Sequence, residues 1–147
     1  MYAHSNVVTD DNKKHNVITF GPISVLPSYQ NQGIGSKLIE ITRRQAFEMG
    51  FTAMLIYGDP EYYSRLGFVA AEEYNIKSSS GMYAAALQVY ELYPNALKGV
   101  SGRFYEGEAY EINQALADEF DNTFAYKEKL VTPNQTKFME LVKMTHE

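Results

Sequence analysis

The chain has 147 residues, the size of one domain that can bury a sizeable core. Its composition, with 45% hydrophobic and 21% charged residues, is typical of a folded globular protein and not of a disordered one. The net charge of −5 argues against general binding to nucleic acids or anionic membranes, and the absence of cysteine excludes disulfides, thiolate zinc sites and a cysteine nucleophile.

The sequence shows neither a signal-peptide pattern nor a membrane-spanning one. Its start lacks a basic region followed by an apolar run, and no stretch approaches the roughly 20 apolar residues that cross a bilayer. We therefore expect a cytoplasmic protein that binds neither a membrane nor nucleic acid.

The beginning of the chain predicts a β-hairpin. Residues 2–9 read as a strand, residues 10–12 as a turn, and residues 17–25 as a second, β-branched strand. Pro22 lies within this second strand, and because proline cannot donate a ladder hydrogen bond, it predicts an edge or a bulge there.

A loop with two glycines, Gly33 and Gly35, follows the hairpin and opens a helix. The first N–H groups of a helix have no internal partner, so this junction is suited to an anion, most often a phosphate. The two common phosphate-binding fingerprints are incomplete, because the dinucleotide loop needs a third glycine and the triphosphate loop needs lysine where Ser36 stands.

Residues 35–49 predict an amphipathic helix that ends at Gly50. Its apolar face, which we expect to pack on the sheet, consists of Ile34, Leu38, Ile41 and Met49. Residues 52–57 are too apolar to alternate and predict a central strand, parallel to the strand before the helix, with a ligand outside the carboxyl ends of the two strands.

The remaining segments give weaker patterns. Residues 81–92 and 100–105 predict two strands that pair with each other across a turn at 94–99. Helical spacing follows residue 108, with Asn113 as a possible cap, and residues 138–142 predict a short terminal helix.

Two motifs resemble the GNAT (GCN-five-related) N-acetyltransferase superfamily. Residues 30–35, Gln-Asn-Gln-Gly-Ile-Gly, resemble the Q/R-x-x-G-x-G/A loop that holds the pyrophosphate of acetyl-coenzyme A. About thirty residues later, roughly one helix and one strand, Tyr63-Ser64-Arg65-Leu66-Gly67-Phe68 resembles the Y-x-x-x-G-F element. The resemblance covers residues 17–105, extends less closely to 129, and is to a bacterial branch of predicted N-acetyltransferases.

The resemblance implies direct transfer of an acetyl group from acetyl-coenzyme A to a primary amine of a small molecule or peptide. Tyr63 would protonate the departing thiolate, with Tyr62 as the fallback. A backbone N–H near Val25 would serve the oxyanion, Ile23 and Val25 would bind the pantetheine arm, and Gln30 would shape the loop. The cofactor-binding residues implied are Ile23, Val25, Gln30, Asn31, Gln32, Gly33, Ile34, Gly35 and Ser36.

Neither a general base nor a metal site follows from these motifs. Asp59 and Glu61 are close to the tyrosines in sequence, but exposed turn carboxylates are usually only solvated, and a neutral amine needs no base. The scattered histidines, His4, His15 and His146, lack the clustering that a metal site requires.

The resemblance also implies an α/β (α+β mixed) fold, a central mixed sheet flanked by helices, in one domain. Its parts would be a hairpin at 1–16, a cofactor-binding core at 17–105 and a C-terminal extension at 106–147. In the family a strand, one or two helices and two further strands precede the strand before the loop, whereas about one strand precedes it here. We therefore expect an N-terminally shortened member that lacks part of the acceptor wall and associates as a homo-oligomer through the apolar surface left open.

Three functions remain open at this point. The first is an N-acetyltransferase, and the second is a non-catalytic coenzyme A binding module, which the short N-terminus favours. The third, an unrelated nucleotide-binding α/β protein, is disfavoured by the two incomplete fingerprints. Only the first two predict a preference for coenzyme A over ATP or NAD, and only the first predicts turnover.

Overall fold

The computed structural model describes all 147 residues as a curled, mixed seven-stranded sheet flanked by helices, which confirms the predicted fold class. Its strands are β1 (Tyr2–Val8), β2 (Lys14–Phe20), β3 (Ala53–Tyr57), β4 (Val69–Ala70), β5 (Ile76–Lys77), β7 (Leu87–Glu91) and β8 (Gly102–Tyr105). They lie in the sheet in the order β4-β7-β3-β2-β1-β8-β5. A second small sheet pairs β6 (Tyr83–Ala84) with β9 (Thr145–His146). The helices are α1 (Ile34–Glu48), α2 (Pro60–Tyr63), α3 (Gln114–Asp121) and α4 (Pro133–Leu141).

The predicted hairpin is present, but its second strand is shorter than expected. Strands β1 and β2 pair antiparallel over their whole length, from Tyr2↔Phe20 to Val8↔Lys14. Strand β2 ends at Phe20, so Pro22 lies outside the strand and forms neither an edge position nor a bulge within it. Because Pro22 has no N–H to continue the ladder, the chain leaves the sheet at this point.

The central strand and the crossover are confirmed. Strand β3 pairs parallel with β2 and antiparallel with β7, and its residues from Ala53 to Ile56 are all buried. The loop and α1 therefore connect two parallel neighbours, and the carboxyl ends of both strands point in the same direction.

The predicted inner face of α1 is wrong. Its buried residues are Ile39 and Ala46, whereas Leu38 is 42% exposed, Ile41 48% and Met49 71%. The helix carries two apolar stripes that both have helical spacing, and periodicity alone does not choose between them.

A cation on α1 helps to settle which stripe faces the sheet. The Arg43 guanidinium donates to the Leu66 carbonyl oxygen at 2.7 Å and lies 4.3 Å from the centre of the Tyr90 ring. Since Arg43 lies between Ile39 and Ala46 on the helix surface, these contacts turn that side inward.

The predicted pairing of the last sheet strand is also wrong. Both edges of β7 are occupied, by β3 and β4, so β8 cannot pair with β7. Strand β8 instead pairs antiparallel with the free edge of β1, through Asn6↔Tyr105, Val7↔Phe104 and Val8↔Arg103, and parallel with β5. This pairing carries the chain after residue 105 back to the first strand.

Both C-terminal helices are present. Asn113 caps α3, because its Oδ1 accepts a hydrogen bond from the Leu116 N–H at 3.2 Å, as predicted. Thr132 caps α4 in the same way. No helix combines the length and the apolar character that crossing a bilayer requires.

Candidate functional site

The candidate site opens where the carboxyl ends of β2 and β3 separate. The parallel register between them ends at Thr19↔Leu55, and the chain after Phe20 forms no regular structure until residue 27. The backbone N–H groups of residues 23–25 donate to no atom of the chain. Buried or half-buried backbone groups are rarely left unpaired, so this extended segment can pair with a strand-like ligand.

A second row of free donors lies at the start of α1. The backbone N–H groups of residues 31–36 donate to no atom of the chain, and the first intrahelical bond runs from the Lys37 N–H to the Gly33 carbonyl at 3.0 Å. Gly33, the N-cap, has a left-handed φ of 76° that favours glycine. Six consecutive free donors at the positive end of a helix are an arrangement suited to an anion.

One cleft of about 660 Å³ joins the two rows. It is lined by eight of the nine residues expected to bind the cofactor: Ile23, Val25, Gln30, Asn31, Gly33, Ile34, Gly35 and Ser36. The exception is Gln32, whose side chain donates to the Ser28 carbonyl at 3.3 Å. Gln30 donates to the Val25 carbonyl at 3.0 Å and so ties the loop to the extended segment. The motif did not point to Ser24, Tyr29 or Asn134, which also line the cleft.

The two tyrosines lie on a short helix that Asp59 begins. The Asp59 carboxylate accepts a hydrogen bond from the Glu61 N–H at 2.9 Å, and Pro60 occupies the first helical position. Tyr62 is 40% exposed, and its hydroxyl lies 3.1 Å from the place where a Cβ on Gly35 would stand. Tyr62 therefore borders the end of the cleft that lies at the start of α1.

Tyr63 occupies a different environment from its neighbour. It is 7% exposed and packs edge-on against Phe20 and Phe68, with ring centres 5.9 and 5.4 Å away. Its hydroxyl makes no hydrogen bond within the chain, and because no buried side-chain N or O atom lacks a partner, this hydroxyl is open to the cavity that Tyr63 lines.

The protonation state of Tyr63 follows from its burial. Removal from water, with a smaller contribution from the nearby Tyr62 and Tyr2, raises the pKa of Tyr63 to about 12. Tyr63 therefore carries its proton throughout the neutral range and acts there as a hydrogen-bond donor.

Because Gly58 has no side chain, the Tyr63 ring can pack directly against it, and we expect Gly58→Ala to displace that ring. A Cβ on Gly58 would overlap the Tyr63 ring at Cε2 and Cδ2. Overpacking of this kind costs about 1–3 kcal/mol of the free energy of unfolding, which urea denaturation measures. The same change in a Tyr63→Leu background should cost less, and an equal cost in both backgrounds would show that the ring is not the cause.

A second, larger cavity of about 740 Å³ lies between the separating strand ends. Its walls include Tyr57, Tyr63, Glu106 and Tyr110. The Tyr110 hydroxyl donates to the Gly21 carbonyl at 2.9 Å, which connects the segment after β8 to the segment after β2. Sequence reasoning missed Glu106 and Tyr110, because no motif surrounds them and only the β8–β1 pairing brings them here.

The ionisable groups of this cavity influence one another. Burial raises the pKa of the Glu106 carboxyl above its usual range. Burial, together with the nearby Glu106, also raises the pKa of Tyr57 to about 12 and that of Tyr110 above its ordinary value. The Glu106 carboxylate has neither a hydrogen bond nor an ion pair within the chain.

Helix α4 forms part of the wall of both the cleft and the larger cavity. Phe138 lines the larger cavity, and Asn134 lines both that cavity and the cleft. Lys137 forms ion pairs with Asp59 at 2.8 Å and Glu61 at 2.6 Å, which hold α4 against α2. These pairs lower the pKa of Asp59 and raise that of Lys137.

The histidines do not converge. His4 packs near Phe51, with ring centres 5.7 Å apart, and His146 contacts the Glu72 carboxylate at 3.0 Å. No group of three or more His, Asp or Glu side chains is arranged to hold a metal ion.

Sequence comparison finds similar proteins over part of the chain. A family model described as an acetyltransferase (GNAT) domain matches residues 4–70. The uncharacterized N-acetyltransferase YhbS of Escherichia coli K12 is 32% identical over 85 residues, which is 58% of this chain and 51% of that protein. The chain thus spans about half the length of the curated relatives that it matches.

Structure comparison extends the similarity to a larger share of the chain. The crystal structure of the GNAT family N-acetyltransferase YhbS from Escherichia coli, in complex with CoA, has a TM-score of 0.64 and 27% identity. The match covers 76% of this chain and 61% of that one. A GNAT family acetyltransferase from Brucella melitensis, in complex with acetyl-CoA, shares the fold with a TM-score of 0.55 and 24% identity, over 75% of this chain and 58% of that one.

Proposed function

We propose that the chain acts as the GNAT acetyltransferases that it resembles do: it binds acetyl-coenzyme A and transfers the acetyl group to a primary amine of a small molecule or peptide. The observation that carries this proposal is the set of unpaired backbone N–H groups at residues 23–25 and 31–36, in one cleft. Nine free donors in two rows match a ligand that has an extended amide arm and a pyrophosphate.

The two rows divide the ligand between them. The extended segment at 23–25 offers donors to amide carbonyls in the manner of a neighbouring strand, and the start of α1 offers donors and positive potential to phosphates. Gly35 leaves the space beside the Tyr62 hydroxyl open, so phosphate oxygens can approach the helix backbone.

The chemistry places demands on a few residues of this chain. When bound, acetyl-coenzyme A supplies a thioester, and the amine nitrogen forms a C–N bond with its carbonyl carbon while the C–S bond breaks. The amine loses one proton and the departing sulfur gains one. A free N–H such as that of Val25 is suited to stabilise the negative charge on the carbonyl oxygen.

Tyr63 is the proposed donor to the departing sulfur. A thiol ordinarily has a pKa of about 8.5, well below the value of about 12 for Tyr63. A tyrosine this weakly acidic stabilises the thiolate chiefly by a hydrogen bond, and the proton that the sulfur gains is the one that the attacking amine nitrogen gives up.

Calorimetric titration with acetyl-coenzyme A, with ATP and NAD as controls, tests the binding half of the proposal. We expect micromolar affinity for acetyl-coenzyme A, about −8 kcal/mol, and no binding of ATP or NAD in the same range. Equal affinity for ATP would contradict the proposal and favour an unrelated nucleotide-binding protein.

A thiol-release assay tests transfer and separates an enzyme from a coenzyme A binding module. The chain has no cysteine, so the protein adds no thiol background to the signal from free coenzyme A. Amine-dependent thiol release indicates an acetyltransferase. Tight binding of acetyl-coenzyme A without release across a broad amine panel would instead identify a binding module.

A further inference from the structure

We propose that the cavity between the carboxyl ends of β2 and β3 is the acceptor site, that it takes a cationic amine with an aromatic or alkyl body, and that Glu106 holds the ammonium group and accepts its proton. This inference rests on the proposed acetyl transfer and names the substrate class and the base for it. The base comes from a part of the chain that neither the two motifs nor the family match at residues 4–70 includes.

The charge of the cavity favours a cation. The ionisable side chains in its wall are the carboxyl groups of Asp59 and Glu106 and the phenols of Tyr57, Tyr63 and Tyr110, and no lysine or arginine lines it. The Asp59 carboxylate is already occupied by Lys137 and by the Glu61 N–H. Glu106 is therefore the one carboxylate in the wall that is free to pair with an ammonium group.

The position of Glu106 is held by the backbone and not by a side-chain contact. Glu106 directly follows β8, whose last residue pairs with Asn6 of β1. At Gly107 the φ angle is 88°, and a Cβ there would come 2.6 Å from the His4 carbonyl oxygen. The chain thus passes tightly against β1 on both sides of Glu106, and this fixes where the carboxylate enters the cavity.

The rest of the wall favours an apolar body on the amine. Eight of the fourteen lining residues are apolar or aromatic, among them Phe20, Tyr57, Tyr110 and Phe138. Aromatic faces attract a cation, and the volume of about 740 Å³ lies in the range of about 300–1,000 Å³ that is typical of small-molecule sites. A flat or alkyl group fits these walls better than a second charge or a polar peptide.

The cavity also places the two proton-handling groups near different faces of the sheet. Tyr63 packs in the apolar cluster that contains Ile39 of α1, whereas Tyr57, beside Glu106, packs against Phe104 in the cluster on the other face. The donor to the sulfur and the acceptor from the amine thus flank the opening between β2 and β3. The ammonium proton passes to Glu106, the neutral amine attacks, and Glu106 then releases the proton to water.

The test uses the full chain, 2-phenylethylamine as the probe, and the variants Glu106→Gln and Glu108→Gln. Both substitutions remove one negative charge, but Glu108 is exposed and lines neither the cleft nor the cavity, so it serves as the matched control. We expect Glu106→Gln to lower kcat/KM for acetyl transfer to 2-phenylethylamine by about 100-fold, and Glu108→Gln to leave it unchanged.

A binding measurement supplies a readout besides activity. Titration of 2-phenylethylamine into protein saturated with coenzyme A should show at least about tenfold weaker binding for Glu106→Gln than for the native chain or Glu108→Gln. 2-Phenylethanol, which has the same body without the charge, should bind the native chain and Glu106→Gln about equally, since it does not use the carboxylate.

The outcomes separate the two proposals. If acetyl-coenzyme A binds and 2-phenylethylamine is acetylated equally well by Glu106→Gln, the role of Glu106 is wrong and the proposed function stands. If the native chain acetylates only hydrophilic amines such as ethanolamine or spermidine, the apolar acceptor class is wrong. If acetyl-coenzyme A does not bind at all, the proposed function fails and this inference fails with it.

Thermal denaturation provides a check that does not depend on turnover. Because burial raises the pKa of Glu106 in the folded chain, folding favours its neutral form, and stability is lost as the pH rises through that pKa. Glu106→Gln should therefore raise Tm relative to the native chain near pH 8 and lose that advantage below about pH 4. A Tm that falls at both pH values would show that the carboxylate has a structural partner, and would contradict the free carboxylate on which the inference depends.

Discussion

Replacing Tyr63 with phenylalanine is expected to slow acetyl transfer about 100-fold and to leave the affinity for acetyl-coenzyme A nearly unchanged. The substitution removes only the hydroxyl of a side chain that is 7% exposed, and that hydroxyl has no hydrogen bond to lose within the chain. The fold and the cleft should therefore be intact, and a loss of kcat reports the missing donor to the sulfur.

Tyr62→Phe is the matched control for this experiment. Tyr62 is adjacent in sequence, with ring centres 5.0 Å apart, but its hydroxyl borders Gly35 at the start of α1. We expect this variant to change the affinity for acetyl-coenzyme A more than kcat. The opposite pattern, with kcat lost in Tyr62→Phe and retained in Tyr63→Phe, would move the role of donor to Tyr62.

Replacing Gly35 with valine is expected to weaken the binding of acetyl-coenzyme A by at least about 100-fold, about 3 kcal/mol. A side chain at this position would stand 3.1 Å from the Tyr62 hydroxyl and 3.8 Å from Val25 Cγ2, and would fill the space where phosphate oxygens approach the free N–H groups. Calorimetric titration measures the loss directly.

Gln45→Val is the control for the intrinsic effect of valine on the helix. Gln45 is exposed on the same helix α1 and lines neither the cleft nor the larger cavity. Gln45→Val therefore lowers the helix propensity of α1 as Gly35→Val can, but it does not obstruct the cleft. If both variants bind acetyl-coenzyme A as tightly as the native chain, the loop at 31–36 is only a turn, and the anion site must lie elsewhere.

The sequence predicted the features that depend on neighbouring residues. The loop at residues 30–35, the helix after it and the Asn113 cap are local, because each rests on contacts within a few positions of the chain. The loop and the element at 63–68 were sufficient to suggest the GNAT resemblance, and the family model at residues 4–70 and the similar fold of GNAT structures agree with it. The roles assigned to Tyr63 and to the cofactor-binding residues remain predictions that the variants above test.

The features that sequence reasoning missed or misplaced depend on which surfaces meet. Either apolar stripe of α1 has helical spacing, and the contacts of Arg43 with Leu66 and Tyr90 were needed to show that Ile39 and Ala46 face the sheet. Likewise, the apolar pattern of β8 predicts a strand, but it does not show which neighbouring strand has an edge free to pair with it.

The sequence alone thus indicated the GNAT resemblance, the strand, loop and helix around the free N–H groups, and two tyrosines close to them. Only the tertiary structure shows which distant residues surround the larger cavity. Strand β8 pairs with β1 because β7 has no free edge, and this pairing brings Glu106 and Tyr110 to the end of β2. Contacts between such distant residues depend on the competition among all strand edges, and no local pattern records its outcome.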